Sequence, residues 1–191
     1  MNTVIEHEGY RITVSTESDP LNPREWDNLG IITCPKQGRY SLADKGHEFN
    51  LDDWNMWDDV EADIRTNKGG VLILPLSIYD HGGVSIYVGK NVDCWDGSRV
   101  GFIYTTQEEL DANGITDLDQ AEAILRGEIK SFDKYLRGDI YSYLVEENRK
   151  ACSCGECEEW VEVDRCGGWE EEADAIMEAK QVAEYYAKKV S

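Results

Sequence analysis

The sequence predicts an α+β fold: one mainly antiparallel sheet, three to four helices packed on it, and a Cys-rich hairpin near the C-terminus. Three observations predict it. Short runs alternate apolar and polar residues and are rich in Val, Ile and Tyr, as half-buried strands are. Longer segments repeat apolar residues every three or four positions, as amphipathic helices do. The 191 residues are 41% hydrophobic and 10% aromatic, enough for a folded core despite the charge. A chain of this length is expected to form a single α+β domain over 1–191.

Residues 4–15 alternate through Ile5, Tyr10, Ile12 and Val14, with Gly9 at a turn, and read as an N-terminal hairpin. Residues 17–30 are dense in Pro, Asn and Asp and form a structured loop, followed by a short strand over 30–34. Asn50 is a helix cap with Asp53 three positions on; Leu51, Trp54, Trp57, Val60 and Ile64 keep helical spacing, and Gly69 and Gly70 end the helix. Residues 71–79, 84–88 and 100–105 are the central strands. Thr106 and Glu109 form a capping box for a short helix ending at Gly114. Asp117 caps a longer one through Leu118, Ala121, Leu125, Ile129, Phe132 and Leu136, stopped at Gly138. Strands over 140–145 and 159–163 and a helix over 170–188 complete the order.

The charge excludes whole classes of function. Thirty-nine acids against nineteen bases give a net charge of −20 and a pI near 4.4. Direct binding to nucleic acid or to an anionic membrane needs a cationic surplus, so neither is expected. The longest apolar run, residues 71–76, is far short of the roughly 20 residues that cross a bilayer. No basic segment followed by an apolar stretch opens the chain, which points to a cytoplasmic setting.

The negative excess has two maxima. Residues 44–63 hold eight acids and one base, and residues 156–178 hold ten acids and one base. Both fall on predicted helices, where carboxylates on neighbouring turns lie about 5–6 Å apart, comparable with successive phosphates along a DNA strand. Asp52, Asp53, Asp58, Asp59, Glu170, Glu171 and Glu172 are therefore the expected contacts to a partner protein with a basic nucleic-acid groove. The alternative is that the acids only solvate the surface.

Cys152, Cys154, Cys157 and Cys166 make a C-x-C-x2-C-x8-C pattern. Four thiolates saturate a tetrahedral structural zinc, and residues 151–168 are a candidate zinc-binding hairpin within the domain. Ordinary thiols in a hairpin are the alternative, and Cys34 and Cys94 read as isolated. Asp80 and His81 could form a base with an orienting carboxylate, although adjacent residues in an extended segment point to opposite sides. Lone His7 and His47 give no metal spacing, and no phosphate-cradling glycine loop, nucleophile elbow or H-E-x-x-H motif is present. The loops around Trp26, Trp95 and Tyr135 combine rings with Asp, Asn and Gly, and serve either as recognition surfaces or as core anchors.

The segments PREWDNLG over 23–30, LPL over 74–76 with YDHG over 79–82, Trp95-Asp96 leading to VGFIY over 100–104, and CGGW over 166–169 resemble a family of small acidic phage and prophage proteins. Tyr135-Leu136 with GDIY over 138–141 adds to the resemblance, which covers most of the chain in matching order. Where family members have His-Arg-Arg-Tyr, this chain has Pro35-Lys36-Gln37-Gly38-Arg39-Tyr40. The resemblance implies a phage setting and brings no established activity. With the charge, it leads to the expectation of an inhibitor of a host nucleic-acid-handling defence protein, acting in the cytoplasm of the infected cell and similar to DNA-mimic antirestriction and anti-CRISPR proteins in charge only. Two other readings stay open: a zinc-stabilised interaction module without inhibitory activity, and a small enzyme using Asp80 and His81. An exposed aromatic face would favour a homodimer.

Overall fold

The computed structural model describes residues 2–35, 39–47, 56–90, 96–150 and 158–190. In chain order the elements are β1 (Thr3–His7), β2 (Tyr10–Thr16), β3 (Ile31–Thr33), α1 (Trp57–Asn67), β4 (Gly70–Asp80), β5 (Val84–Val88), β6 (Gly97–Thr106), α2 (Gln107–Ala112), α3 (Leu118–Arg137), β7 (Tyr141–Lys150), β8 (Glu158–Trp169) and α4 (Glu172–Val190). A 3₁₀ turn, Pro23–Glu25, lies in the loop before β3.

The fold is α+β with every ladder antiparallel. The one expected sheet is two, each of four strands: β1-β2-β7-β8 and β3-β6-β4-β5. The chain, expected as one domain, divides into two compact units, residues 1–21 with 138–191 and residues 22–137. Alternation along a strand fixes which side chains point inward but not which distant strand they pair with.

In the first unit, Glu8 and Gly9 both take positive φ, 51° and 83°, the combination that a two-residue hairpin turn matching the strand twist requires. Tyr10, Ile12 and Val14 of β2 and Tyr143 and Val145 of β7 face α4 through Ala175, Ala179 and Ala183. Alanine every fourth residue lets the helix lie close to the sheet. The N-terminal strand is fastened to the same helix by the Thr3 hydroxyl, which donates to the Glu172 carboxylate, and by His7, whose Nε2 is 3.2 Å from Glu184.

Burial, with Asp164 nearby, pushes the Tyr143 phenol up to about 12. The unfolded chain loses that proton near pH 10, so the stability conferred by the neutral phenol is full below about pH 10 and declines between about 10 and 12. Tyr143→Phe is expected to move the alkaline unfolding midpoint upward, followed by circular dichroism against pH; an unmoved midpoint would show that this phenol does not set the alkaline limit.

In the second unit, β6 is buried on both faces. Ile103 joins the core that α3 covers with Ala121, Leu125, Ile129 and Phe132. Phe102 and Tyr104 alternate to the core that α1 covers with Val60 and Ile64. The Thr106 hydroxyl accepts from the Glu109 amide to cap α2, and the Asp117 carboxylate accepts from the Asp119 amide to start α3. Helix α1 begins at Trp57 with Met56 at its cap position and no side-chain cap bond. The expected cap Asn50 and the positions Leu51, Asp52, Asp53 and Trp54 lie outside the described residues. Among the described residues no helix is long and apolar enough to cross a membrane.

Candidate functional site

The acids expected to meet a partner fall into separate places. Asp52 and Asp53 lie outside the described residues. Asp58 and Asp59 are exposed in the first turn of α1, in one unit, while Glu170, Glu171 and Glu172 stand at the entry to α4, in the other. Carboxylates in a first turn are favoured by the unpaired amides and the positive end of the helix dipole, so both groups also serve their helices. Glu172 is half-buried and accepts a hydrogen bond from the Thr3 hydroxyl. The acids of 156–178 do not lie on one helix: Glu158, Glu159 and Glu162 are exposed on the edge strand β8, where successive side chains point to opposite faces. Beside the α1 acids, the Arg99 guanidinium lies 4.8 Å from the Trp57 ring centroid and 4.6 Å from that of Phe102. Burial lowers its pKa, opposed by Glu61 and Asp58.

Cys166 is exposed on β8 opposite Tyr143; Cys152, Cys154 and Cys157 lie outside the described residues. Among the described residues no group of three or more His, Cys, Asp or Glu could hold a metal ion.

His81 is oriented by Asp96, not by Asp80: its Nδ1 is 3.2 Å from the Asp96 carboxylate, whereas Asp80 pairs with Arg39 at 3.2 Å. The imidazole is 73% exposed, and water at such a site weakens any electrostatic help to a reaction. Cys34 is buried, and that burial pushes its thiol far above the ordinary range, leaving a small apolar residue.

Among the described residues the most highly organised group of charges lies elsewhere, in the loop carrying PREWDNLG. Asn22 caps the 3₁₀ turn by accepting from the Arg24 amide, and the Asn28 side-chain amide donates to the carbonyls of Pro23 and Trp26. The Arg24 side chain, 6% exposed, donates a parallel pair to Asp44 at 3.0 and 2.8 Å, one bond to Glu128 at 3.0 Å and one to the Gly30 carbonyl at 2.6 Å. The carboxylates in turn accept backbone amides: Asp44 from Ile32, and Glu128 from Leu29 and Gly30. Burial raises the Glu128 pKa, while Arg24 and the two amides hold it down. A Cβ at Gly30 would stand 2.6 Å from the Ile103 side chain and 2.9 Å from the Glu128 carboxylate, so those side chains would have to shift to admit it.

This network forms one wall of a cleft of about 610 Å³ within residues 22–137. Trp26 lines it and is 57% exposed. Thus the loop divides the two roles that its sequence left open: Arg24 anchors it and Trp26 is displayed. Comparison with protein-family models, curated proteins and solved structures yields no match to this chain.

Proposed function

We propose that this protein is an acidic inhibitor that occupies the nucleic-acid groove of a basic host defence protein, presenting carboxylates where that groove takes phosphates. The observation that supports the reading is that each compact unit is separately acidic. Residues 22–137 hold twenty-one acids against twelve bases, and the rest of the chain eighteen against seven. Exposed carboxylates in one unit at Asp58 and Asp59, and in the other at Glu158, Glu159, Glu162 and Glu171, supply the surface. A potential of one sign over both units steers a basic partner into encounter and repels nucleic acid itself. The resemblance to phage proteins directs the reading to a host defence protein and to the cytoplasm of the infected cell.

The test is capture of binding proteins from host lysate at low and high salt, followed by measurement with the captured partner. Duplex DNA is expected to compete. Neutralising Asp58, Asp59, Glu159 and Glu162 to the corresponding amides is expected to slow association about tenfold and flatten its salt dependence. Because Asp58 and Asp59 also support α1 by about 0.3–1 kcal/mol each, circular dichroism must show the variant folded. Unchanged binding and no competition by DNA would refute the mimicry.

A further inference from the structure

We propose that the Trp26 cleft is the receptor for an arginine side chain of the basic partner; this deepens the reading above and rests on it for the partner's charge. The cleft has the volume of an ordinary ligand pocket, about 300–1,000 Å³. Its charge selects a cation. Glu25 and Asp27 flank Trp26 on the loop, and Glu109 contributes from α2. The cations lining the cleft are already paired: Arg24 is held by Asp44, Glu128 and the Gly30 carbonyl, and Lys45, 95% exposed, has its ammonium 3.8 Å from Glu25, which leaves the negative excess on Asp27 and Glu109.

Trp26 supplies the second element of recognition. A guanidinium stacks on an indole face and is drawn by its quadrupole, while its fork of donors suits carboxylates beside the ring. The same pairing occurs within this molecule, where Arg11 lies 4.5 Å from the Trp160 ring centroid and Arg99 4.8 Å from that of Trp57. The loop is also organised in advance. Asn22, Asn28 and the Arg24 network fix the backbone on both sides of Trp26, so a bound side chain need not order the loop. An anion entering the cleft would meet Asp27 and Glu109 instead.

The probe is an acetylated, amidated Gly-Arg-Gly peptide, titrated into the full chain with the Trp26 indole signal, assigned through Trp26→Phe, followed by NMR. The isosteric citrulline peptide, which lacks the charge, is the control. Saturable shifts at Trp26 and in residues 25–28 are expected, with the citrulline peptide about tenfold weaker and Trp26→Ala reducing arginine binding about tenfold. Equal binding of both peptides, or full binding by Trp26→Ala, would overturn the receptor. Two further outcomes separate this proposal from the broader one. If Trp26→Ala still binds the captured basic partner at full strength while the four-carboxylate variant does not, the receptor is wrong and mimicry stands. Arginine binding in the cleft without any DNA-competed partner would have the opposite meaning.

Discussion

Replacing Arg24 with alanine is expected to destabilise the unit of residues 22–137 by about 3–5 kcal/mol, the range for removing one partner of a buried ion pair. Asp44 and Glu128, with side chains 17% and 13% exposed, would be left as neighbouring like charges without their cation. Arg24→Lys is expected to recover only part of the loss, because an ammonium cannot give Asp44 a parallel pair while also reaching Glu128 and the Gly30 carbonyl. Many buried ion triads can be exchanged for apolar residues at little cost, but this one is tied to the backbone. Combining Arg24→Met with Asp44→Leu and Glu128→Leu would orphan the amides of Leu29, Gly30 and Ile32, at about 1–3 kcal/mol for each buried donor. The triple variant is therefore expected to be no more stable than Arg24→Ala. Urea titration, with hydrogen exchange at Leu29 and Ile32 as the local reporter, measures both; a loss below about 1 kcal/mol for Arg24→Ala would place the network among solvated surface pairs.

Gly101→Ala is expected to cost about 3 kcal/mol or more, at or beyond the upper end for overpacked cores. The added Cβ would stand 2.0 Å from the Thr33 carbonyl oxygen and 2.8 Å from the Cys34 Cα. These are backbone atoms where β3 pairs with β6, Thr33 opposite Phe102, and both residues are wholly buried. No side chain can swing aside, so the strands must separate or the ladder must shift. Gly127 is the internal control. It lies within α3 with nothing within 4 Å of its Cβ position, and Gly127→Ala is expected to stabilise by about 0.5–1 kcal/mol through helix propensity and lost unfolded-state freedom. Thermal unfolding of the two variants should move in opposite directions; a Gly101→Ala protein as stable as the parent would mean that β3 and β6 approach less closely than described.

How much of this could be read beforehand follows the range of the forces. Strand β5 occurs over Val84–Val88 as alternation indicates, and α3 runs from the residue after its Asp117 cap to the residue before Gly138. In both, the deciding pattern lies within a few residues. The division into two sheets could not be read this way, because β2 pairs with a strand that begins 131 positions beyond its own first residue, as the bounds of Tyr10–Thr16 and Tyr141–Lys150 show. The anchored loop was visible as a dense, turn-forming segment, but not its chemistry. Arg24 meets Asp44 twenty positions away and Glu128 one hundred and four away, and nothing local distinguishes those two acids among thirty-nine.

The sequence by itself determined the antiparallel α+β character, the position of most elements and the large negative excess, because propensity, capping and net charge are local or additive properties. Only the tertiary structure decided what each carboxylate does. It turned Asp44 and Glu128 inward to hold Arg24 and three backbone amides, set Glu172 against Thr3, and left Asp58, Asp59 and the β8 glutamates at the surface. The physical reason is that desolvation and hydrogen-bond geometry depend on which distant segments are packed together, and so distinguish acids that are alike in the sequence.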